Sequence, residues 1–305
     1  MANTLNSREL EHYHSEGYVF PRRVMSEKEA AGFADAFYGY AERAKGPLES
    51  SYNHKLHLVA GWAADLVHHP AILDAVEDLL GPDILCWTTN LLVKEAGDEK
   101  YVSWHQDAPY WRLEPHEVAT AWVALTPSTE EMGCVRVIPR SHHRPVASHH
   151  DVEDPKNMLT RGQRLIENFE ENDGVAMPLR AGEISLHHVR LYHGSEPNRS
   201  KQRRIGIAIR YMSADVQKKG KRESATLVRG SDRNDFFDRE SRPDADFDRV
   251  ARMAHNRAVR MQVANNYEPS ADDSQEVREK LAEQRAALQR GLDFFYDQWL
   301  AEGEC

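Results

Sequence analysis

At 305 residues the chain has room for one large or two ordinary domains, and its 40% hydrophobic and 29% charged residues suit a globular protein with a sizeable core. A formal net charge of −10 argues against a generic nucleic-acid binder, whose affinity comes from clustered Lys and Arg, and no run approaches the ~18 apolar residues of a membrane span. Three cysteines without metal-binding spacing (Cys86, Cys134, Cys305), and a start lacking a basic region followed by an apolar stretch, fit a reduced, cytoplasmic protein.

The first third reads as helical. Ser26-Glu27-Lys28-Glu29 is a capping box, with Ser at the N-cap and Glu three residues on, and opens a helix from Glu27 to about Ala44. A second helix starts near Pro70, carries Ile72, Leu73, Val76, Leu79 and Leu80 on one face, and stops at Gly81-Pro82.

From Ile84 the period changes to that of strands. Apolar, β-favouring runs recur at Ile84–Val93, Thr120–Leu125, Cys134–Pro139, Val175–Leu179, Ile184–His188 and Arg204–Tyr211, separated by Gly, Pro and polar turns. This pattern suggests a sandwich or a jelly roll. The polar stretch Arg140–Asn172 is too long for a hairpin and reads as a lid or binding element. Lys218-Lys219-Gly220-Lys221-Arg222 reads as a solvated loop. A final helix runs from about Ser274 to Trp299, its stripe of Val277, Leu281, Leu288, Leu292, Phe295 and Trp299 packing on the protein's own barrel or forming a homodimer seam. The whole reads as one domain, mainly helical over 1–83, β over 84–212, with a C-terminal extension over 213–305.

Trp104-His105-Gln106-Asp107 carries the chemistry. If the run is extended, residues i and i+2 share a face, so His105 and Asp107 can grip one metal ion from one side. His193 supplies a third ligand. Two His and one carboxylate form the facial triad of non-haem Fe(II) oxygenases. Arg204 opens a strand otherwise built of Ile, Gly and Ala; a buried guanidinium needs a partner, and its planar fork matches a carboxylate.

Together these blocks resemble the phytanoyl-CoA dioxygenase family of Fe(II)/2-oxoglutarate-dependent oxygenases. The resemblance rests on Trp104–Asp107, Thr120–Leu125, Gly133–His142 and the block His193–Ser200 with Arg204, and at the start on a helix before Gly17-Tyr18-Val19-Phe20. It covers roughly residues 8–212. It implies a double-stranded β-helix (jelly-roll, cupin-like) core flanked by helices. It also implies His105, Asp107 and His193 as iron ligands, Arg204 on the far carboxylate of 2-oxoglutarate, and Lys94, Asn90 and Trp122 as further cosubstrate contacts. Fe(II), 2-oxoglutarate and O2 would then hydroxylate an unactivated C–H of a small metabolite, releasing succinate and CO2. A carboxylate at Asp107 favours this over halogenation, since related halogenases carry a small residue there. Gly206 departs from the pattern: several 2-oxoglutarate enzymes place a hydroxyl residue two positions after the arginine.

Other readings of the same residues stand beside this one. A jelly-roll metal-binding protein without turnover would need no Arg204 anchor, and a zinc hydrolase would use the same three ligands. The pairs His68-His69, His142-His143, His149-His150 and His187-His188 cannot chelate as neighbours on a strand; His187 and His188 are expected to pack near the site. Trp104, Tyr110 and Trp111 wall a substrate pocket or belong to the core. Arg210 lies on the same strand face as Arg204, and Arg136 sits in an apolar strand; each either meets an anionic substrate or pairs with an acidic neighbour.

Overall fold

A computed structural model of the chain describes residues 4–43, 51–159, 161–166, 169–268 and 275–302, without the side chains of residues 43, 51 and 293–302. Helix α1 (Ser7–Glu16) is closed by a capping box in which Asn6 and Glu9 bond each other's backbone N–H, and it ends at Gly17 in the left-handed region. Strand β1 (Tyr18–Arg23) follows, then α2 (Glu27–Arg43), whose Ser26 Oγ accepts the Glu29 N–H at 3.1 Å. The expected end of α2 at Ala44 lies outside the described residues. Helices α3 (Gly61–Val67) and α4 (Pro70–Leu80) complete the N-terminal part.

The β elements are β2 (Ile84–Lys94), β3 (Val102–His105), the short helix α5 (Ala108–Trp111), β4 (Leu113–Glu114), β5 (Val118–Ala124) and β6 (Val135–Ile138). After them come β7 (His149–Asp151), β8 (Gln163–Leu165), β9 (Val175–Ala176), β10 (Glu183–His188), β11 (Tyr192–Ser195) and β12 (Arg204–Ser213). Beyond the jelly roll lie β13 (Gln217–Lys218), β14 (Ser224–Arg229), β15 (Asp238–Arg239), α6 (Arg249–Asn266) and α7 (Gln275–Glu302). Seven strands form one sheet in the order β1-β10-β5-β12-β2-β14-β15, and four form the other, β3-β11-β6-β9. This is the mostly β, jelly-roll core with helices at both ends that the sequence implied.

Strand β12 shows how the sequence builds both faces at once. Ile205, Ile207 and Ile209 point outward into the main core with Ala121, Val123, Ile72 and Val76, which places α4 on the outer face of the large sheet. Burying each such side chain is worth roughly 1.5–3 kcal/mol. The alternate positions, Arg204, Gly206, Ala208 and Arg210, point inward. Small residues between two arginines leave room inside the barrel.

Three expectations need correction. Lys218 is not solvated: its side chain is 2% exposed and pairs with Glu223 at 2.9 Å, over the Trp87 ring. The other four residues of that run, Lys219, Gly220, Lys221 and Arg222, are exposed. The α7 stripe, with Leu281 and Leu292 buried, lies against α6, a helix not expected from the sequence. Ser274 lies outside the described residues, as do the side chains of Phe295 and Trp299. The stretch 140–172 holds the β7–β8 hairpin, which packs Ala147 and Leu165 onto Trp104 on the outside of the small sheet. Its Arg161 reaches α5 and the end of α6.

Candidate metal centre

His105 ends β3, and register places it directly across from His193 on β11. Asp107 joins them by a route other than strand alternation. It has helical backbone angles (φ −77°, ψ −38°) at the start of α5, so a strand-to-helix turn delivers its carboxylate. Gln106 pins that turn: its Nε2 donates to Arg190 O at 2.6 Å and its Oε1 accepts the Ala147 N–H at 2.8 Å.

The ligand atoms of His105, Asp107 and His193 lie within 4.8 Å of one another, and all three residues are buried. His105 Nε2 stands 3.4 Å from Asp107 Oδ1, and His193 Nε2 stands 3.8 Å from Oδ2. Each imidazole Nδ1 lies 2.9 Å from a backbone carbonyl, of Ser103 and of Leu191. A carbonyl can only accept, so Nδ1 carries the proton and the Nε2 lone pair is free for a metal. Burial alone would raise the Asp107 carboxyl, but His193 and the hydrogen bond and charge of His105 hold it well below the usual carboxylate range. Burial, then His105, push His193 down to about 4. The carboxylate is therefore ionised and the His193 ring neutral at neutral pH. Asp107 Oδ2 is buried with no hydrogen-bond partner. That orphaned oxygen and the two aimed imidazoles fit a divalent cation. Among the described residues no other His, Cys, Asp and Glu group could hold one.

A second buried charge cluster sits where β2 and β12 pair Lys94 with Arg204. Lys94 Nζ donates to Ser195 Oγ at 2.7 Å and to Glu196 O. Arg204 is 1% exposed, donates to Gly133 O, lies over the Trp122 ring at 5.2 Å, and leaves Nε buried and unpartnered. Burial lowers Arg204 to about 10; burial, then the Arg204 charge, lower Lys94 to about 6. Neither makes an ion pair with a carboxylate among the described residues. A desolvated guanidinium beside an amine that a bound anion would protonate fits an anionic ligand such as a dicarboxylate.

The Gly206 departure has a steric cause. A Cβ there would stand 2.2 Å from Trp122 Cζ2, so the indole fills the space a hydroxyl side chain would take. Trp122 Nε1 is itself buried and unpartnered.

The remaining candidates divide by face. Arg210 points inward; its Nη1 donates to Asn90 Oδ1 at 2.6 Å and its guanidinium lies 5.4 Å from the Trp111 ring. Asn90 is tied in turn to His54 Nδ1 at 2.6 Å. Tyr110 packs on His149 and Arg161. Trp104 and Arg136 turn the other way. Trp104 precedes His105 on a strand and so faces outward, onto Phe169, Ile138 and Leu165. Arg136 lies over Trp104 and donates to Gly174 O at 3.0 Å, so neither reaches the triad's side. Sequence reading passed over Gln106, Ser195, Ser185 and Thr120. The alternation Ser185-Leu186-His187 was the available signal for the β10 face, and His187 does lie near the site, 4.7 Å from the His193 ring. The other histidine pairs serve local contacts, as with His142 and His143 on the carbonyls of His14 and Ser15.

A jelly roll holding a buried two-histidine, one-carboxylate cluster beside a buried arginine–lysine pair defines the class of non-haem, metal-dependent cupin-like proteins. Residues 13–206 match the family model described as phytanoyl-CoA dioxygenase (PhyH), and the chain belongs to that family. It is 30% identical over 165 residues to a probable alpha-ketoglutarate-dependent hypophosphite dioxygenase of Stutzerimonas stutzeri, covering 52% of this chain and 56% of that one. It is 31% identical over 151 residues to the human peroxisomal phytanoyl-CoA dioxygenase, covering 48% and 44%. The chain thus spans about half the length of these curated relatives. Among solved structures, the non-haem monooxygenase ThoJ in its apo form is similar at TM-score 0.75 and 34% identity, with 90% of this chain and 98% of that chain covered. The alpha-ketoglutarate-dependent carbocyclase SnoK follows at TM-score 0.58 and 27% identity, with 70% and 87% covered.

Proposed function

We propose that the chain, acting as a single domain over residues 1–305, is an Fe(II)- and 2-oxoglutarate-dependent dioxygenase. It would hydroxylate an unactivated C–H of a small metabolite and release succinate and CO2. The observation that carries this reading is the pairing of the His105/Asp107/His193 cluster with two buried basic groups that have no carboxylate partner among the described residues, the Arg204 guanidinium and the Lys94 amine. A protein that only held a metal would have no use for the second feature, whose burial is costly without an anion. When bound, iron with 2-oxoglutarate supplies the oxidising chemistry.

This chain's own residues do the holding and positioning. His105, Asp107 and His193 would hold the ion, with the carbonyls of Ser103 and Leu191 fixing both imidazole tautomers. Arg204 and Lys94 would bind the cosubstrate's far carboxylate, and Trp122 would wall it against Gly206. The apolar inner cluster of Val135, Val137, Met177, Leu179 and Leu191 excludes water from the space between the sheets.

Anaerobic titration of the Fe(II)-loaded protein with 2-oxoglutarate is expected to give the weak visible charge-transfer band of the chelate. An Arg204→Ala variant should need far more cosubstrate for the same band. No band, or an unchanged titration in the variant, would favour the non-catalytic binding protein. Succinate formed across a metabolite panel, with a product heavier by one oxygen atom, tests turnover.

A further inference from the structure

Three histidines around the small sheet are held by one device. His105 Nδ1 lies 2.9 Å from Ser103 O, His193 Nδ1 lies 2.9 Å from Leu191 O, and His149 Nδ1 lies 2.9 Å from Ala147 O, each the carbonyl two residues earlier in the chain. A carbonyl only accepts, so all three rings carry their proton on Nδ1 and leave the Nε2 lone pair bare. Two of those Nε2 atoms face the Asp107 carboxylate. The third, on His149, accepts the backbone N–H of Gln106 at 3.0 Å.

We propose that His149 is a positioning residue of the metal centre, and that the start of the β7–β8 segment is a fixed clamp on the Asp107 turn and not a lid, an assignment that rests on the dioxygenase reading above. Three observations support it. Gln106 is 0% exposed, so its N–H has no water to turn to, and a buried donor left unmade is costly. The same imidazole touches the turn from its other side: the ring of Tyr110, three residues after Asp107, meets the His149 ring edge-on at 5.3 Å between centroids. Tyr110 in turn donates its own N–H to Asp107 O at 3.2 Å. One imidazole thus brackets the carboxylate ligand from both directions along the chain. Finally, Gln106 Oε1 accepts the Ala147 N–H at 2.8 Å, so Ala147 and His149 hold Gln106 by its side chain and its backbone together.

The placement of Asp107 explains why such a clamp matters. Strand β3 ends at His105, paired with His193, and Asp107 already has helical backbone angles. Its carboxylate therefore depends on the geometry of the turn and not on strand register. The Gln106 N–H belongs to the peptide unit that joins His105 to Gln106, so the hydrogen bond to His149 fixes the orientation of the link between two metal ligands. A rotation of that unit would carry Asp107 away from His105 Nε2 and His193 Nε2, now 3.4 Å and 3.8 Å from its oxygens. Swinging the 147–151 stretch outward would break the same bond, so this stretch stays in place while the ion is bound.

The test uses the full chain and Co(II) alone, whose visible absorption reports both affinity and ligand geometry without turnover. His149→Phe keeps an aromatic ring against Tyr110 and removes the acceptor. It should bind Co(II) roughly 10- to 100-fold more weakly and with an altered band shape, while circular dichroism of the metal-free protein stays that of the folded chain. His149→Gln, whose amide oxygen can accept the Gln106 N–H, should recover most of the affinity and the original band. In the unaltered protein, Co(II) should slow amide exchange over 147–151 as well as over 102–107, because coupling between two sites is reciprocal. Unchanged Co(II) affinity and spectrum in a folded His149→Phe protein would overturn the proposal. Exchange over 147–151 that ignores Co(II) while 102–107 slows would overturn it too, even if the variant does not fold. Failure of the unaltered protein to bind Co(II) is a separate result, and would bring down the metal centre and the dioxygenase reading with it.

Discussion

Gly206 and Trp122 compete for one volume: a Cβ on the glycine would meet the indole at 2.2 Å and 2.4 Å, at Cζ2 and Cη2. The two residues are therefore a matched pair. Gly206→Ser is expected to cost roughly 1–3 kcal/mol by overpacking and to weaken 2-oxoglutarate binding by tilting the ring that backs Arg204. Trp122→Leu in the same protein should recover much of the lost stability. Thermal melts and calorimetric titration of the two variants and the double variant check this.

Lys94 gives a pH signature. Its folded value of about 6 lies far below the ordinary lysine range because of burial and the Arg204 charge. Between those limits the unfolded chain holds a proton that the folded chain has released. Stability of the ligand-free protein, as far as Lys94 sets it, therefore rises with pH from about 6 toward the ordinary lysine range. An anion bound beside Lys94 reverses its shift, so 2-oxoglutarate binding at pH 8 should take up a proton. Calorimetry in buffers of different ionisation enthalpy measures that uptake, and Lys94→Met should abolish it.

The ion should stabilise the fold as well as enable chemistry. At a free concentration of about 100 times its dissociation constant, a metal that binds only the folded chain adds about 2.7 kcal/mol. Chelation should lower the melting temperature, re-addition of Fe(II) or Ni(II) should restore it, and Asp107→Ala should show no such response. Oxidation of 2-oxoglutarate should be lost with the metal and return with Fe(II) alone.

Arg161 ties the long 140–172 segment to the end of α6. It pairs with Asp151 at 2.7 Å, donates to Asn266 O at 2.8 Å and lies over the rings of Tyr110 and Tyr267. Arg161→Ala should remove about 1.5–3 kcal/mol for each charge-assisted hydrogen bond lost locally. Faster amide exchange over Val152–Leu165, with little change in exchange within β12, is the expected result. Uniform exchange across both segments would contradict it.

Strand β12 was legible because its chemistry alternates: isoleucines on one face, and Arg, Gly, Ala and Arg on the other. Helix α6 was not. Its buried face includes His255, Gln262 and Asn265, so hydrogen bonding replaces the apolar stripe that periodicity detects. Lys218 misled for a related reason, since its partner Glu223 and the covering Trp87 are set by tertiary packing. Asp107 reached the expected neighbours by an unexpected turn, as spacing alone does not distinguish an extended pair from a strand running into a helix. Trp104 and Arg136 failed on direction: proximity in sequence to a ligand says nothing when the neighbour faces the opposite side of a strand.

The polar seam between β2 and the C-terminal segment bears on how this chain can be divided. Trp87 Nε1 donates to Glu223 at 2.6 Å, Lys55 Nζ reaches Glu240 at 2.5 Å, and Asn265 Nδ2 donates to Glu223 at 2.7 Å. A chain ending after Met212 would keep every triad residue yet strand an ammonium and an indole N–H in the interior. The barrel and its tail are thus not interchangeable parts, and swapping tails between relatives would require carrying residues 55 and 87 along with them.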